Sequence, residues 1–168
     1  GGGMIVARDK KDADYARYLT TQAKDDSLEF IHHEIGFNYR LTNLHAAIGV
    51  AQLEQLPEFL EKKRAIASYY KEALKNAPGL TFMPEPSNCE PAFWLYTVLL
   101  REETTLEQRR DVIRRMNEQN IGARPFWHTI HDSRPYAGAQ NYRIEVSPQL
   151  YARGICLPSG VGLTPAEL

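Results

Sequence analysis

The chain has 168 residues, enough for a domain with a sizeable core, and its formal net charge is −1 at pH 7. This near balance gives no electrostatic reason to expect nucleic-acid binding, since no face is predicted to be strongly basic. No apolar run approaches the roughly 20 residues that span a bilayer, and no signal peptide is recognisable. Cys89 and Cys156 stand far apart without metal-ligand spacing, which favours a reducing compartment. We therefore expect a cytoplasmic protein that binds neither nucleic acid nor a membrane.

The first third of the chain predicts a strand, a helix, a long loop and a second helix. Residues 4–8 favour a short strand, and DKKDADYARYLTTQ after them favours a helix. Residues 22–37 have no clean period and predict a long loop, of the kind that often carries function. Thr42 is the predicted N-cap of the next helix, whose apolar positions near helical spacing are Leu44, Ala47, Ile48, Ala51 and Leu53.

The remainder predicts alternating helices and strands. Pro57 is expected to interrupt the helix that Thr42 caps. A further helix is predicted over residues 58–75. AFWLYTVLL, residues 92–100, predicts a buried strand. Thr104 or Thr105 should cap a helix whose inner face carries Val112, Ile113 and Met116, with the arginines of RRDVIRR on its solvated side. IGARPFWHTIH predicts a short strand and a loop, and NYRIEVSPQLYARGICLPSG a helix and a strand, so the class is α/β or α+β.

The stretch GFNYRLTN, residues 36–43, places hydrogen-bonding side chains just before the helix capped by Thr42. A helix N-terminus favours an anion such as phosphate. Asn38 offers amide donors and Arg40 a guanidinium fork, while Gly36 allows the backbone to come close. Phosphate or diphosphate recognition is one interpretation. The other is that Asn38 and Arg40 satisfy carbonyls of their own loop.

A second polar and aromatic stretch is ARPFWHTIH, residues 123–131. Arg124, Trp127 and His128 together suit a flat or phosphorylated ligand. His128 and His131 are three residues apart, but no third ligand accompanies them, so a metal site is not predicted. The alternative is a core Trp127 beside surface histidines. The adjacent His32 and His33 are expected to point in different directions and to have no joint role.

The ending GLTPAEL has the pattern of a helix start. Thr164 fits an N-cap, Pro165 the first helical position and Glu167 the third position of a capping box. A single helical turn is unstable in isolation, so we expect the chain to be part of a longer protein.

Four stretches, taken in order, resemble the DegT/DnrJ/EryC1/StrS family of sugar aminotransferases. They are GGGMIV, IGFNYRLTNLHAAIGVAQLEQL, IGARPFWHTIH and ICLPSGVGLT, and they extend over nearly the whole chain. YLTTQAKDD, residues 18–26, further resembles the members that aminate UDP-linked 4-keto-6-deoxy sugars, on routes such as that to legionaminic acid. The resemblance implies the C-terminal part of a fold-type I pyridoxal-phosphate aminotransferase, with an α/β fold.

The resemblance also implies domains, partners and site residues. Residues 1–56 would end the large cofactor-binding domain, and residues 57–168 would form a small α+β domain, truncated at its end. The enzyme would be a homodimer that transfers an amino group from glutamate to a nucleotide-linked keto-deoxysugar. Asn38 would bind the cofactor phosphate of the neighbouring subunit, and Arg40, Arg124, Trp127 and His128 would bind the substrate. No catalytic residue is assigned, because the cofactor-binding lysine would lie upstream of Gly1.

Two other functions remain open from the sequence. A family member without the lysine could be a non-catalytic ligand-binding or regulatory protein. An unrelated helical interaction domain could use residues 44–77 as a partner surface.

Overall fold

The computed structural model describes residues 2–26 and 28–168. The glycine run that opens the family resemblance begins at Gly1, which lies outside the described residues. Within these ranges the chain divides into two compact units, one that ends at Leu56 and one over Pro57–Leu168. None of the helices in the described ranges has the length and apolar content to cross a bilayer.

The first unit consists of two helices joined by a long loop. Helix α1 is Lys10–Thr20 and helix α2 is Asn43–Glu54. The Thr42 hydroxyl accepts a hydrogen bond from the His45 backbone N–H at 3.4 Å, which confirms the predicted N-cap. The strand expected over residues 4–8 is wrong, because residues 2–7 have no regular secondary structure. A short apolar run forms a stable strand only beside a pairing partner, and no described segment pairs with it.

The surface of the first unit is unusually apolar. Ala23 is its one buried residue among those described. Helix α2 carries apolar side chains around its circumference, and Leu44, Ile48 and Leu53 are each more than half exposed. An exposed patch of this kind normally marks an interface.

The second unit is a four-stranded antiparallel sheet covered by helices. Its elements are α3 (Leu56–Ala73), β1 (Thr81–Phe82), β2 (Tyr96–Leu99), α4 (Leu106–Glu118), β3 (Arg124–Pro125), α5 (Val146–Arg153) and β4 (Gly154–Leu157). The strand order is β1-β2-β4-β3. The predicted mixed helix-and-sheet class is therefore confirmed. Helix α3 begins at Leu56, before Pro57, since proline is tolerated in the first helical turn.

The core of this unit lies between one face of the sheet and helices α3 and α4. Tyr96 and Val98 of β2 pair with Leu157 and Ile155 of β4, and all four are buried. Since side chains alternate along a strand, this register places the four on one face. The helices contribute Ala67 and Ile113, with Tyr70, Val112 and Met116 packed around them.

Helix α4 shows one agreement and one correction. Thr105 and Gln108 form a complete capping box, which settles the choice between Thr104 and Thr105. The expectation that the arginines of residues 109–115 form a solvated face is wrong for Arg109, which is only 2% exposed. Its guanidinium donates to the Tyr151 carbonyl and lies 4.6 Å from the centre of the Tyr151 ring. Helix α5 therefore provides the partner that sequence periodicity does not show.

We expect Ile155→Ala to lower the free energy of unfolding of the second unit by about 2–5 kcal/mol, because it leaves a cavity in the core. Ile155 is 1% exposed. Val146→Ala is the matched control; Val146 is 64% exposed, and its truncation should change stability by about 0.5 kcal/mol or less. Denaturant titration followed by tryptophan fluorescence reports on this unit alone, since both tryptophans belong to it. Equal losses for the two variants would contradict the proposed core.

Candidate functional site

The backbone around Asn38 is bound to the C-terminal end of α1. The Phe37 N–H donates to the Leu19 carbonyl at 2.8 Å, and the Tyr39 N–H donates to the Thr20 carbonyl at 3.0 Å. Between them, Asn38 forms an isolated antiparallel bridge with Thr21. The last carbonyls of a helix have no partner within the helix. The Phe37 and Tyr39 N–H groups therefore provide the donors for the last carbonyls of α1.

The loop turns back on α1 through a close backbone contact at Gly36. A Cβ atom on Gly36 would lie 2.3 Å from the Ala23 nitrogen and 2.3 Å from the Gln22 carbonyl carbon. Gln22 and Ala23 both have positive φ, 75° and 47°. L-residues adopt this region only when the surroundings require it. Glycine at position 36 is therefore needed for this close approach to the backbone of Gln22 and Ala23. The contact in turn fixes the position of the residues that follow Gly36.

Asn38 and Arg40 extend from this fixed backbone into solvent. Both side chains are exposed. Within the described residues neither takes part in a side-chain hydrogen bond, so the predicted alternative of local carbonyl partners is not observed there. Their donors are available to an external acceptor such as a phosphate.

Acidic and aromatic side chains hold the middle of the loop. Asp25 accepts from the Tyr18 hydroxyl at 3.0 Å and from the His33 N–H at 2.7 Å, and it lies 2.9 Å from His33 Nδ1. These contacts, with the His33 N–H first, lower the pKa of the Asp25 carboxyl below its usual 3.8. His32 Nδ1 instead contacts the Gln22 carbonyl at 2.8 Å. The two adjacent histidines thus have different partners.

The other predicted site residues lie in the second unit. Arg124 is opposite Cys156 in the β3–β4 pair, and its side chain is exposed. Trp127 is 65% exposed, so the alternative of a core tryptophan is wrong. His128 is exposed, with Nδ1 3.3 Å from the Ser133 hydroxyl and its ring edge against Tyr151.

The structure brings Arg124 and Trp127 to one cavity. This cavity has a volume of about 610 Å³, and Lys63, Trp94, Cys156 and Ser159 also line it. His128 lines a neighbouring cavity of about 750 Å³, and Trp127 contributes to both. Asn38 and Arg40 belong to the first unit and are described within it alone.

Sequence reasoning missed Trp94 and Lys63. Trp94 falls in the stretch predicted as a buried strand, yet β2 begins only at Tyr96 and Trp94 is 69% exposed. The rings of Trp94 and Trp127 are stacked, with centroids 5.8 Å apart. The Lys63 ammonium donates to the carbonyls of Trp94 and Ser159, and burial lowers its pKa. No local pattern could indicate these contacts, because they join distant parts of the chain.

The chain matches known aminotransferases over its full length. The family model described as the DegT/DnrJ/EryC1/StrS aminotransferase family matches residues 1–168. The Bacillus subtilis (strain 168) protein EpsN, whose name assigns it provisionally to the pyridoxal phosphate-dependent aminotransferases, is 41% identical over 99% of this chain and 43% of its own length. A GDP-perosamine synthase of Caulobacter vibrioides is 34% identical over 99% of this chain and 45% of its own length.

A solved structure shows the same fold. The aminotransferase TlmJ from Streptoalloteichus hindustanus superposes with a TM-score of 0.84 at 24% identity, covering 95% of this chain and 42% of that one. The chain thus spans less than half the length of the curated relatives it matches. These comparisons confirm the family, the fold and the pyridoxal-phosphate class predicted from the sequence.

We expect Gly36→Ala to detach residues 37–39 from α1, because the added methyl group would meet backbone atoms that cannot move aside cheaply. Hydrogen exchange of the Phe37 and Tyr39 amides should accelerate at least about tenfold. The matched control is Gly49→Ala within α2, where an added Cβ meets nothing within 4 Å. There alanine should stabilise the helix by up to about 1 kcal/mol. Unchanged exchange in Gly36→Ala would contradict the tight contact.

The Asp25 contacts should make the order of the loop depend on pH. The folded pKa of Asp25 lies below 3.8, so its stabilising contribution is complete above that ordinary value and is lost as the pH falls through the lowered one. Exchange of the His33 amide should accelerate in that acid window. In Asp25→Asn this step should disappear, whereas in Asp12→Asn, which alters an exposed carboxylate of α1, it should persist. A step of equal size in both variants would exclude Asp25 as its origin.

Proposed function

The chain belongs to the DegT/DnrJ/EryC1/StrS aminotransferase family, and from that membership we propose that it is part of an enzyme that aminates a nucleotide-linked keto-deoxysugar. The amino donor is glutamate, and the product serves cell-surface polysaccharide or glycan synthesis. The observation that carries the proposal is the family match over residues 1–168. In this assignment the unit that ends at Leu56 is the end of the large domain, and Pro57–Leu168 belongs to the small domain.

The nucleotide is the finer part of the proposal. Residues 18–26 resemble the members that act on UDP-linked 4-keto-6-deoxy sugars, and we propose a UDP-sugar on that ground. Relatives named GDP-perosamine synthase, at 33–34% identity, make a GDP-sugar the competing substrate.

The residues of the first unit fit the phosphate end of pyridoxal phosphate. Asn38 presents amide donors that have no partner among the described residues, from a backbone fixed at both sides, so no backbone order has to be gained when a phosphate binds. We propose that Asn38 binds the cofactor phosphate of a neighbouring subunit in a homodimer. Arg40, two residues on and exposed, would bind the diphosphate of the substrate.

The lysines of the first unit, Lys10, Lys11 and Lys24, do not stand at the position of the cofactor-binding lysine that the family resemblance implies. Lys10 is paired with Asp14 on α1, and Lys24 lies 4.3 Å from the centre of the Phe30 ring. Pyridoxal phosphate, when bound, supplies the electron sink for amino-group transfer. The relatives are more than twice as long as this chain, so we propose that the lysine lies in a longer protein and that the 168-residue chain alone is inactive.

In the second unit, Arg124, Trp127 and His128 would bind the sugar nucleotide. Arg124 adds a permanent positive charge for the diphosphate, and the exposed ring of Trp127 offers a flat apolar surface. His128 is oriented by Ser133 and Tyr151 and faces the neighbouring cavity.

The test uses the longer protein that contains this chain. With glutamate, it should aminate UDP-linked and GDP-linked 4-keto-6-deoxy sugars to different extents, with the UDP-sugar preferred. The 168-residue chain should leave the absorbance of added pyridoxal phosphate unchanged. A longer protein that binds nucleotide sugar but lacks the lysine and transfers no amino group would instead favour the non-catalytic, regulatory function.

Within the active protein, Asn38→Ala should weaken the binding of pyridoxal phosphate by roughly 10- to 100-fold, the loss expected for one hydrogen bond to a charged group. Asn38→Asp should weaken it further, since a carboxylate repels phosphate. The control is Asn76→Ala, which removes an exposed amide after α3. Equilibrium titration of the apoenzyme with cofactor measures all three. An unaltered affinity in Asn38→Ala would remove Asn38 from the phosphate site.

A further inference from the structure

Trp94 is exposed by an unusual backbone turn. Phe93, just before it, has a φ of 46°, in the left-handed region that a bulky residue seldom adopts. Phe93 packs against the core and lies 6.0 Å from the Tyr96 ring, while Trp94 is 69% exposed. The turn thus sends one aromatic ring inward and the next outward. Such strain persists only where surrounding contacts over-determine it, and it is concentrated at functional sites.

Trp94 is held in place through its main-chain carbonyl rather than through its side chain. Its carbonyl accepts from the Lys63 ammonium at 2.7 Å, and the same ammonium donates to the Ser159 carbonyl. Lys63 therefore joins Ser159, two residues after the end of β4, to Trp94, two residues before the start of β2. The Trp94 ring itself is left free to stack on Trp127, 5.8 Å away with planes inclined by 25°.

The cavity beside this pair has a cationic lining. Among the described residues, Lys63 and Arg124 line it and no carboxylate does. By contrast, another cavity, of about 640 Å³, is lined by three carboxylates, Glu103, Glu107 and Asp111, and by one guanidinium, Arg101, so its charged side chains disfavour an anion. The volume of about 610 Å³ is also within the range of small-ligand sites.

We propose that the stacked pair of Trp94 and Trp127 binds the base of a nucleoside diphosphate and that Arg124 binds its phosphates. The two rings are too close to admit a third between them, so the base stacks on the outer face of the pair. An aromatic ring can stack on the face of any nucleotide base, and a guanidinium can donate two parallel hydrogen bonds to a phosphate. The inference rests on the proposed function for the choice of ligand, and it adds Trp94 as a binding residue with Lys63 as its positioning residue.

The sequence provides its own probe, because Trp94 and Trp127 are its two tryptophans. The full chain is titrated with UDP and with GDP while tryptophan emission is recorded and corrected for nucleotide absorbance. We expect saturable quenching by at least one of the two. Uridine, which lacks the diphosphate, and inorganic pyrophosphate, which lacks the base, should each bind at least tenfold more weakly. No saturable quenching by UDP or GDP, or equal binding of pyrophosphate, would overturn the proposal.

Variants then test the assignment by calorimetric titration with the nucleotide that binds. Trp94→Ala should weaken binding by roughly tenfold or more, and Trp94→Phe should recover part of the loss. Tyr142→Ala is the matched control, since Tyr142 is a 79% exposed aromatic residue of the same unit outside this cavity. Circular dichroism checks that each variant is folded. Equal affinities of Trp94→Ala and the wild type would overturn the role of Trp94.

The outcomes separate this inference from the proposed function. Amination by the longer protein with nucleotide affinity unchanged in Trp94→Ala would leave the enzyme and remove the base site. Nucleotide binding that depends on Trp94, in a longer protein that transfers no amino group, would support the base site and contradict the proposed enzyme.

Discussion

The pairing of β2 with β4 is the interaction on which the second unit depends. Four consecutive residue pairs, from Tyr96–Leu157 to Leu99–Gly154, set the register of the sheet. A slip of β4 by one residue would turn Ile155 and Leu157 away from the face that carries Tyr96 and Val98, and so away from α3 and α4, and would open the core. The same register brings β3 beside β4, so that Arg124 lies opposite Cys156 at the edge of the cavity. Core and binding surface therefore share one constraint.

The first unit is organised by a different constraint, which is the unsatisfied end of α1. Residues 37–39 bind the final carbonyls of that helix, and Gly36 allows the loop to come within contact of Gln22 and Ala23. Little apolar surface is buried in forming this arrangement. Hydrogen bonds and local turns, rather than a core, thus place Asn38. The broad apolar surface of α2 is consistent with a segment that contributes to a larger assembly.

Local signals in the sequence were reliable where the structure is local. Thr42 and the Thr105–Gln108 box cap their helices as predicted, because an N-cap depends on residues within one turn. The family motif directed attention to Asn38, whose role stays a prediction. Features that require distant partners were missed. Arg109 is buried because its guanidinium donates a hydrogen bond to the Tyr151 carbonyl and lies over the Tyr151 ring. Trp94 is exposed because Lys63 and Trp127 fix it from elsewhere in the chain.

The position of β4 in the sheet has a consequence for synthesis on the ribosome. It is the last strand of the sheet in sequence, yet it lies between β2 and β3 in space. While α3, β1, β2 and α4 emerge, Val98 has no Ile155 to pack beside it, and one edge of β2 remains open. The pairing of β4 with β2 and β3 is therefore a late step in folding, since it can form only after β4 has left the exit tunnel.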